Sequence, residues 1–274
     1  MRDFSFKFLG TGTSSGIPVI GCECAVCTSA DPKDNRLRTS AAIEWVDDSG
    51  RPRTVLIDTS PDLRQQALRF GIKRLDAILY THNHVDHTFG LDEVRRYNAM
   101  QQQAIDVYAE EHTLGFLKRT FGHIFESEKN INQSFVATLI AWPLRVGVPV
   151  ELHGLRFTPL RVLHGRLPIV GFRIEPVESS LCSSLLPLAY LTDVSAIPPE
   201  TWPGLRHVRT LVLDALRHRH HPTHLTLGQA IGIAHEVGAD KTWFVHMTHD
   251  LGHEATQAEL PESMGLAWDG LVLR

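Results

Sequence analysis

Leu75-Asp-Ala-Ile-Leu-Tyr-Thr-His-Asn-His-Val-Asp-His87 is the stretch on which the fold and chemistry of this chain turn. Its first six residues, apolar apart from Asp76, are short enough to be a buried strand, and four ligand-type side chains follow within six positions. In extended backbone, residues two apart point the same way, so His82 and His84 can converge on one metal ion. Asp86 and His87 fall where the chain turns toward a helix, and they can face a second ion. Neutral imidazole together with carboxylate suits zinc, manganese or iron.

Outward from that motif, strands come first. Residues 4–9 alternate and run into the Gly- and Ser-rich loop GTGTSSG; 41–46 and 54–57 flank the turn DDSGRP and predict a hairpin. Ser60-Pro61 predicts an N-cap and first-turn proline for a helix that stops at Gly71. Helical stretches are expected near 91–103 and 110–121, and strands near 156–162, 169–174 and 188–191. A strand over 207–213 precedes Thr226-x-x-Gln229, a capping box whose helix ends at Gly238 and carries the stripe Leu227, Ala230, Ile231, Ala234 and Val237. Residues 242–245 are expected to be the closing strand, while 105–155 match no motif. Strands alternating with helices in both halves predict an α/β protein with mixed sheets under helices, one domain over 1–274.

Composition narrows the chemistry. The chain has 274 residues, 43% of them hydrophobic, which is enough for a full core. No apolar run approaches the ~18 residues of a membrane span, and there is no signal-peptide pattern, so a cytoplasmic protein is expected. Net charge −4, from 27 basic and 31 acidic residues, offers no basic track for nucleic acid, although a small anionic substrate stays open. Sixteen histidines is a high count, and many are clustered. Three of the four cysteines, Cys22, Cys24 and Cys27, lie within six residues, which suits a metal site better than disulfides. Such a site needs a fourth ligand, and Cys182 is one candidate. There is no G-x-S-x-G elbow, and GTGTSSG lacks the G-K-[ST] of a nucleotide-binding P-loop.

H-x-H-x-D-H after a strand resembles the signature of the metallo-β-lactamase superfamily, a four-layered αββα sandwich. The resemblance implies three later ligands at strand ends, found at His164, Asp193 and His246. It assigns His82, His84 and His164 to one metal, Asp86, His87 and His246 to the other, and Asp193 to both; Asp58 would be a structural hydrogen-bonder beneath them. Two ions ~3.5–4 Å apart would hold a hydroxide between them, which implies hydrolysis with Asp86 part of the catalytic set. The cysteine cluster after GTGTSSG is similar to that of the PhnP-like phosphoribosyl cyclic phosphodiesterases, in which His249 would complete a structural zinc site with Cys22, Cys24 and Cys27.

In those enzymes the counterpart of His224 points at the substrate phosphate, as general acid or charge stabiliser. His218, His220 and His221 would be solvated loop residues, and His207, His235 and His253 structural or surface residues. The resemblance thus implies a phosphodiesterase acting on a small, cyclic phosphodiester, with two catalytic manganese or zinc ions, one structural zinc, and a homodimer. A tRNA 3′-processing nuclease and a thioester or lactone hydrolase are the competing activities. A non-catalytic accessory protein is disfavoured, because the whole H-x-H-x-D-H set is kept.

Overall fold

The computed structural model describes residues 2–126, 134–178 and 183–274. Seven strands form one sheet: β1 (Arg2–Gly10), β2 (Ser40–Val46), β3 (Pro52–Ile57), β4 (Ala77–Leu79), β5 (Ile105–Ala109), β6 (Leu139–Pro143) and, beside β1, β14 (Val272–Leu273). The other sheet holds β7 (Val150–Leu152), β8 (Leu155–His164), β9 (Leu167–Pro176), β10 (Leu188–Leu191), β11 (Thr210–Asp214), β12 (Lys241–Val245) and β13 (Met264–Leu266) in sequential order. In each sheet antiparallel pairs give way to a parallel block, β3 to β6 and β10 to β13. Parallel neighbours need crossovers, and those crossovers carry helices onto the outer faces.

The helices are α1 (Leu63–Phe70), α2 (Val85–Thr88), α3 (Arg95–Gln101), α4 (Glu111–Thr120), α5 (Gly122–Phe125), α6 (Leu227–Val237) and α7 (His253–Glu259). Leu63, Tyr97 and Leu117 from α1, α3 and α4 cover Leu56, Ile78 and Val107 of the first sheet. Leu227, Ala230 and Ala234 of α6 cover Leu211, Leu213 and Phe244 of the second. Between the sheets Phe6, Phe8 and Trp45 meet Phe157, Phe172 and Tyr190. Burying each such side chain stabilises the fold by roughly 1.5–3 kcal/mol relative to exposing it. The result has the mixed sheets under helices that the strand and helix pattern predicts, arranged as the αββα sandwich that the family resemblance implies.

Several local expectations hold. The 41–46/54–57 hairpin forms with Ala41 opposite Ile57, and Gly71 and Gly238 close α1 and α6 in the left-handed conformation. The Thr226–Gln229 capping box is complete, with both reciprocal hydrogen bonds made. Among the described residues no helix is long and apolar enough to cross a membrane.

Others shift. Helix α1 starts at Leu63 rather than at Pro61. Ser60 Oγ accepts from the Asp62 N–H, and the Asp62 carboxylate is drawn to the Arg38 guanidinium and N–H instead of capping the helix. The 91–103 stretch is a 3₁₀ turn, Leu91–Val94, followed by α3. The strand expected from 207 begins at Thr210, because His207 is left-handed with φ 58°. Strand β12 does not close the fold: β13 extends its sheet and β14 returns to β1. The helix expected near 110–121 forms as α4, and the rest of 105–155, which matches no motif, supplies β5, α5, β6 and β7.

Candidate metal and catalytic site

Asp58 and every residue expected to hold the two catalytic metals sit at or just beyond the carboxyl end of a strand. Asp58 follows β3, residues 81–87 follow β4 into α2, and His164 ends β8. Asp193 lies just beyond β10 and His246 directly after β12. Asp58, Asp193 and His246 have φ of 62°, 58° and 63°. Left-handed backbone costs a non-glycine residue roughly 1–3 kcal/mol, so neighbouring contacts must hold each one there. The first of these turns is locked from beneath: Gly90, just past α2, donates its N–H to the Thr59 carbonyl, and a Cβ on Gly90 would lie 2.1 Å from the Ser60 carbonyl oxygen.

The side chains converge. Ligand atoms of His82, His84 and His164 lie within 4.8 Å of one another, as do those of Asp86, His87 and His246, and those of His82, His87 and Asp193. Asp193 stands between the sets: Oδ1 is 3.3 Å from His246 Nε2 and 4.0 Å from His82 Nε2, while Oδ2 is 3.2 Å from His87 Nε2. All these groups are buried except His84, which faces solvent.

The imidazoles are oriented by their far nitrogens. His87 Nδ1–H donates to Asp58 Oδ2 at 2.8 Å, and His164 Nδ1–H donates to the Thr223 carbonyl at 2.8 Å. Thr81 spends its hydroxyl proton on Asp58 Oδ2, so its oxygen accepts from His82 Nδ1–H at 2.9 Å. Thr39 likewise spends its proton on the Gly12 carbonyl and accepts from His246 Nδ1–H at 3.1 Å. Each hydroxyl has a single proton, which settles both tautomers. Nε2 of all four rings therefore faces inward, the orientation that such hydrogen-bond partners impose on metal-binding histidines.

The electrostatics separate His87 from the other three rings. Burial pushes His82 and His164 below the ordinary imidazole value and His246 down to about 3, so they stay neutral. Burial opposes charge on His87 as well, but Asp193, Asp86 and Asp58 outweigh it and raise its pKa. Asp86 is held below the usual carboxylate range by His87 and His246, against the effect of burial. Nε2 of His82 and of His87 are buried without a hydrogen-bond partner. Orphaned buried nitrogens beside carboxylates describe a place that a cation would satisfy. The donor set of imidazole and carboxylate fits divalent zinc or manganese.

His224, buried, belongs to the same cluster: its ring stacks on His246 at 4.9 Å and 16°, and lies 4.6 Å from His164. Its Nδ1 is 3.1 Å from Asp214 Oδ1, while Asp214 Oδ2 accepts from the Leu225 N–H at 3.0 Å. Burial would discharge His224, but Asp214 outweighs it and raises the pKa. Burial pushes the Asp214 carboxyl up to about 6. The motif reading missed Asp214, although TLVLD carries the same signal as LID58 and LTD193, an aspartate closing an apolar strand.

The cysteine cluster forms a second centre. Cys22, Cys24 and Cys27 Sγ lie 3.3, 3.6 and 3.3 Å from His249 Nδ1. Zinc bonds of about 2.3 Å to sulfur and about 2.0–2.1 Å to nitrogen at a tetrahedral angle predict S···N near 3.5 Å, so the donors fit a Cys3His zinc. Backbone N–H groups of Cys27 and Val19 donate to Cys24 Sγ and Cys27 Sγ. Burial nevertheless pushes the Cys27 thiol up to about 11, and a cation would be needed to keep it ionised. The buried Arg36 guanidinium donates to the carbonyls of Thr248 and Leu251 on either side of His249. Cys182, the alternative fourth ligand, lies outside the described residues. Of the remaining histidines, His253 is buried edge-on against Trp268, whereas His218, His220 and His235 are exposed.

Comparison with known proteins places this geometry. Residues 53–247 match the Beta-lactamase superfamily domain, and the chain belongs to the metallo-β-lactamase superfamily. Within it the chain is PhnP-like: it is 43% identical to a solved structure described as a new diphosphatase from the PhnP family, with TM-score 0.86 over 99% of this chain and 97% of that one. Zinc-bound PqqB from Methylobacterium extorquens shares the fold, at 19% identity and TM-score 0.77 over 98% of this chain and 99% of that one. A Porphyromonas gingivalis protein named octanoyltransferase is 36% identical over 265 residues, 96% of this chain but 50% of the relative. The chain spans about half the length of the curated relatives that it matches along most of its own.

Proposed function

We propose that this chain is a metal-dependent phosphodiesterase that hydrolyses a small, cyclic phosphodiester. His82, His84 and His164 would hold one manganese or zinc ion and Asp86, His87 and His246 the other, with Asp193 shared and a structural zinc on Cys22, Cys24, Cys27 and His249. When bound, the two ions supply the positive charge that polarises a phosphoryl oxygen and makes water nucleophilic at neutral pH. The observation that carries the reading is the buried Asp214–His224 pair, turned toward the same centre as His164 and His246.

His224, with Nδ1 occupied by Asp214, presents Nε2–H to the cluster and donates a proton to the leaving oxygen of the ester. Asp214 keeps the imidazole charged and fixes its plane. Asp86 stays ionised beside His87 and completes the negative wall that an incoming cation meets. Alkoxide departure from phosphorus is helped by a positioned acid, whereas a thioester, which expels a thiolate, has less need of one. A net charge of −4 argues for a small substrate over tRNA.

A second reading, cleavage of a diphosphate linkage at the same centre, is favoured by the 43%-identical relative described as a diphosphatase. The test is turnover by the metal-reloaded protein of cyclic and linear phosphodiesters, a diphosphate diester, a thioester and a lactone. Preference for the phosphodiesters is expected. Preference for the diphosphate moves the assignment to the second reading, and preference for the acyl substrates overturns the proposal.

A further inference from the structure

The loop that carries His224 orients two more imidazoles through a single residue. Thr223 gives its carbonyl oxygen to His164 Nδ1–H, and its N–H and hydroxyl lie 3.3 and 3.2 Å from His221 Nδ1. A backbone N–H can only donate, so His221 Nδ1 is the acceptor and the proton of the neutral ring resides on Nε2. The His221 ring lies 5.2 Å from that of His224 but is only partly buried, so it stands on the outward side of the acid. The turn is braced from the other side: a Cβ on Gly165 would come 2.8 Å from the Thr223 methyl, so the loop packs directly on the residue after His164. Unlike the exposed His218 and His220, His221 is held in place, and its free edge is an N–H donor.

We propose that His221 is a specificity-determining residue: its Nε2–H binds an acceptor oxygen on the leaving-group side of the substrate, one or two carbons beyond the ester oxygen that His224 protonates. The proposal rests on the phosphoryl reading of the site and deepens it. Substrates whose leaving group carries a hydroxyl or other oxygen near the reacting ester gain a hydrogen bond that plain alkyl esters cannot make. A neutral hydrogen bond to a preorganised donor corresponds to roughly tenfold in binding.

The experiment compares binding of glycerol 2-phosphate and isopropyl phosphate, the same skeleton with and without hydroxyls, to manganese-loaded protein by calorimetry. Wild type is expected to prefer glycerol 2-phosphate by about tenfold. His221→Leu should bring the ratio close to one, and His221→Gln, whose amide restores an N–H donor, should recover most of it. A preference that survives in His221→Leu, or that His221→Gln fails to recover in folded protein, overturns the assignment. Wild type that binds both phosphates equally overturns it too, while leaving the phosphoryl reading standing if phosphodiesters are turned over. Wild type that binds neither phosphate at millimolar concentration overturns the assignment of His221, and overturns the phosphoryl reading as well if no phosphodiester is turned over.

Discussion

Asp58 Oδ2 accepts from His87 Nδ1 at 2.8 Å, and neither side chain is exposed to solvent. The same carboxylate takes the N–H and the hydroxyl of Thr81, so one left-handed aspartate after β3 anchors both ends of the H-x-H-x-D-H motif. Replacing Asp58 by Ala leaves three buried donors unpaired. The expected cost is roughly 3–5 kcal/mol of stability, as for breaking a buried charged pair. Metal analysis of the variant should also show loss of the ion assigned to Asp86, His87 and His246. A variant as stable as wild type with full metal content contradicts this role.

Asp214 sets the charge of His224, and the pH dependence should report it. Burial pushes Asp214 up to about 6, and Asp214 in turn raises the His224 pKa above the ordinary imidazole value. The acid form of His224 therefore persists to higher pH than that of a free histidine, and activity falls only as it deprotonates. Asp214→Asn removes the raising charge while burial still lowers the pKa. The alkaline limb of kcat should then move to lower pH, by one unit or more if the lost interaction is worth about 1.4 kcal/mol. An unmoved limb separates Asp214 from the mechanism.

His246 and His249 lie on one turn, yet they face different centres, the first Asp193 and the second the three thiols. Cys22→Ser should lower the melting temperature by about 5 °C or more, given ~2–4 °C per kcal/mol for a chain of this size, because a structural zinc contributes folding energy. Turnover of the folded fraction should fall less than stability does. Unchanged melting with lost activity reverses the two roles.

Metal content follows from the same geometry. Wild-type protein reloaded with manganese and zinc should hold up to three ions per chain, and a value of one or fewer contradicts both centres. His224→Ala should hold as many as wild type, since the two catalytic sets are complete without it.

The candidate metal ligands are legible in the sequence because they obey local rules. The H-x-H-x-D-H set is contiguous, and His164, Asp193 and His246 each follow a short apolar run that a strand must bury. Asp214 obeys the same rule and went unread, because nothing near it in sequence marks His224, ten residues on, as its partner. Thr39 and His246 are 207 positions apart, so no local pattern connects the hydroxyl to the ring that it orients. His221 looked like one more solvated histidine in RHRHHPTH until the Thr223 N–H fixed its edge. The unassigned strands of 105–155 include β6, an edge strand whose exposed positions hold Ile140 and Trp142, so apolar residues on both faces hide the alternation from the sequence.

His224 is the proposed acid for a leaving alkoxide. The direct measurement is kcat of wild type and His224→Ala on two phosphodiesters that differ only in leaving group, an alcohol in one and p-nitrophenol in the other. A poor leaving group needs the proton and a good one does not, so the variant should lose ~10²-fold or more on the alkyl ester and far less on the nitrophenyl ester. Equal losses on both, with metal content intact, would contradict the account.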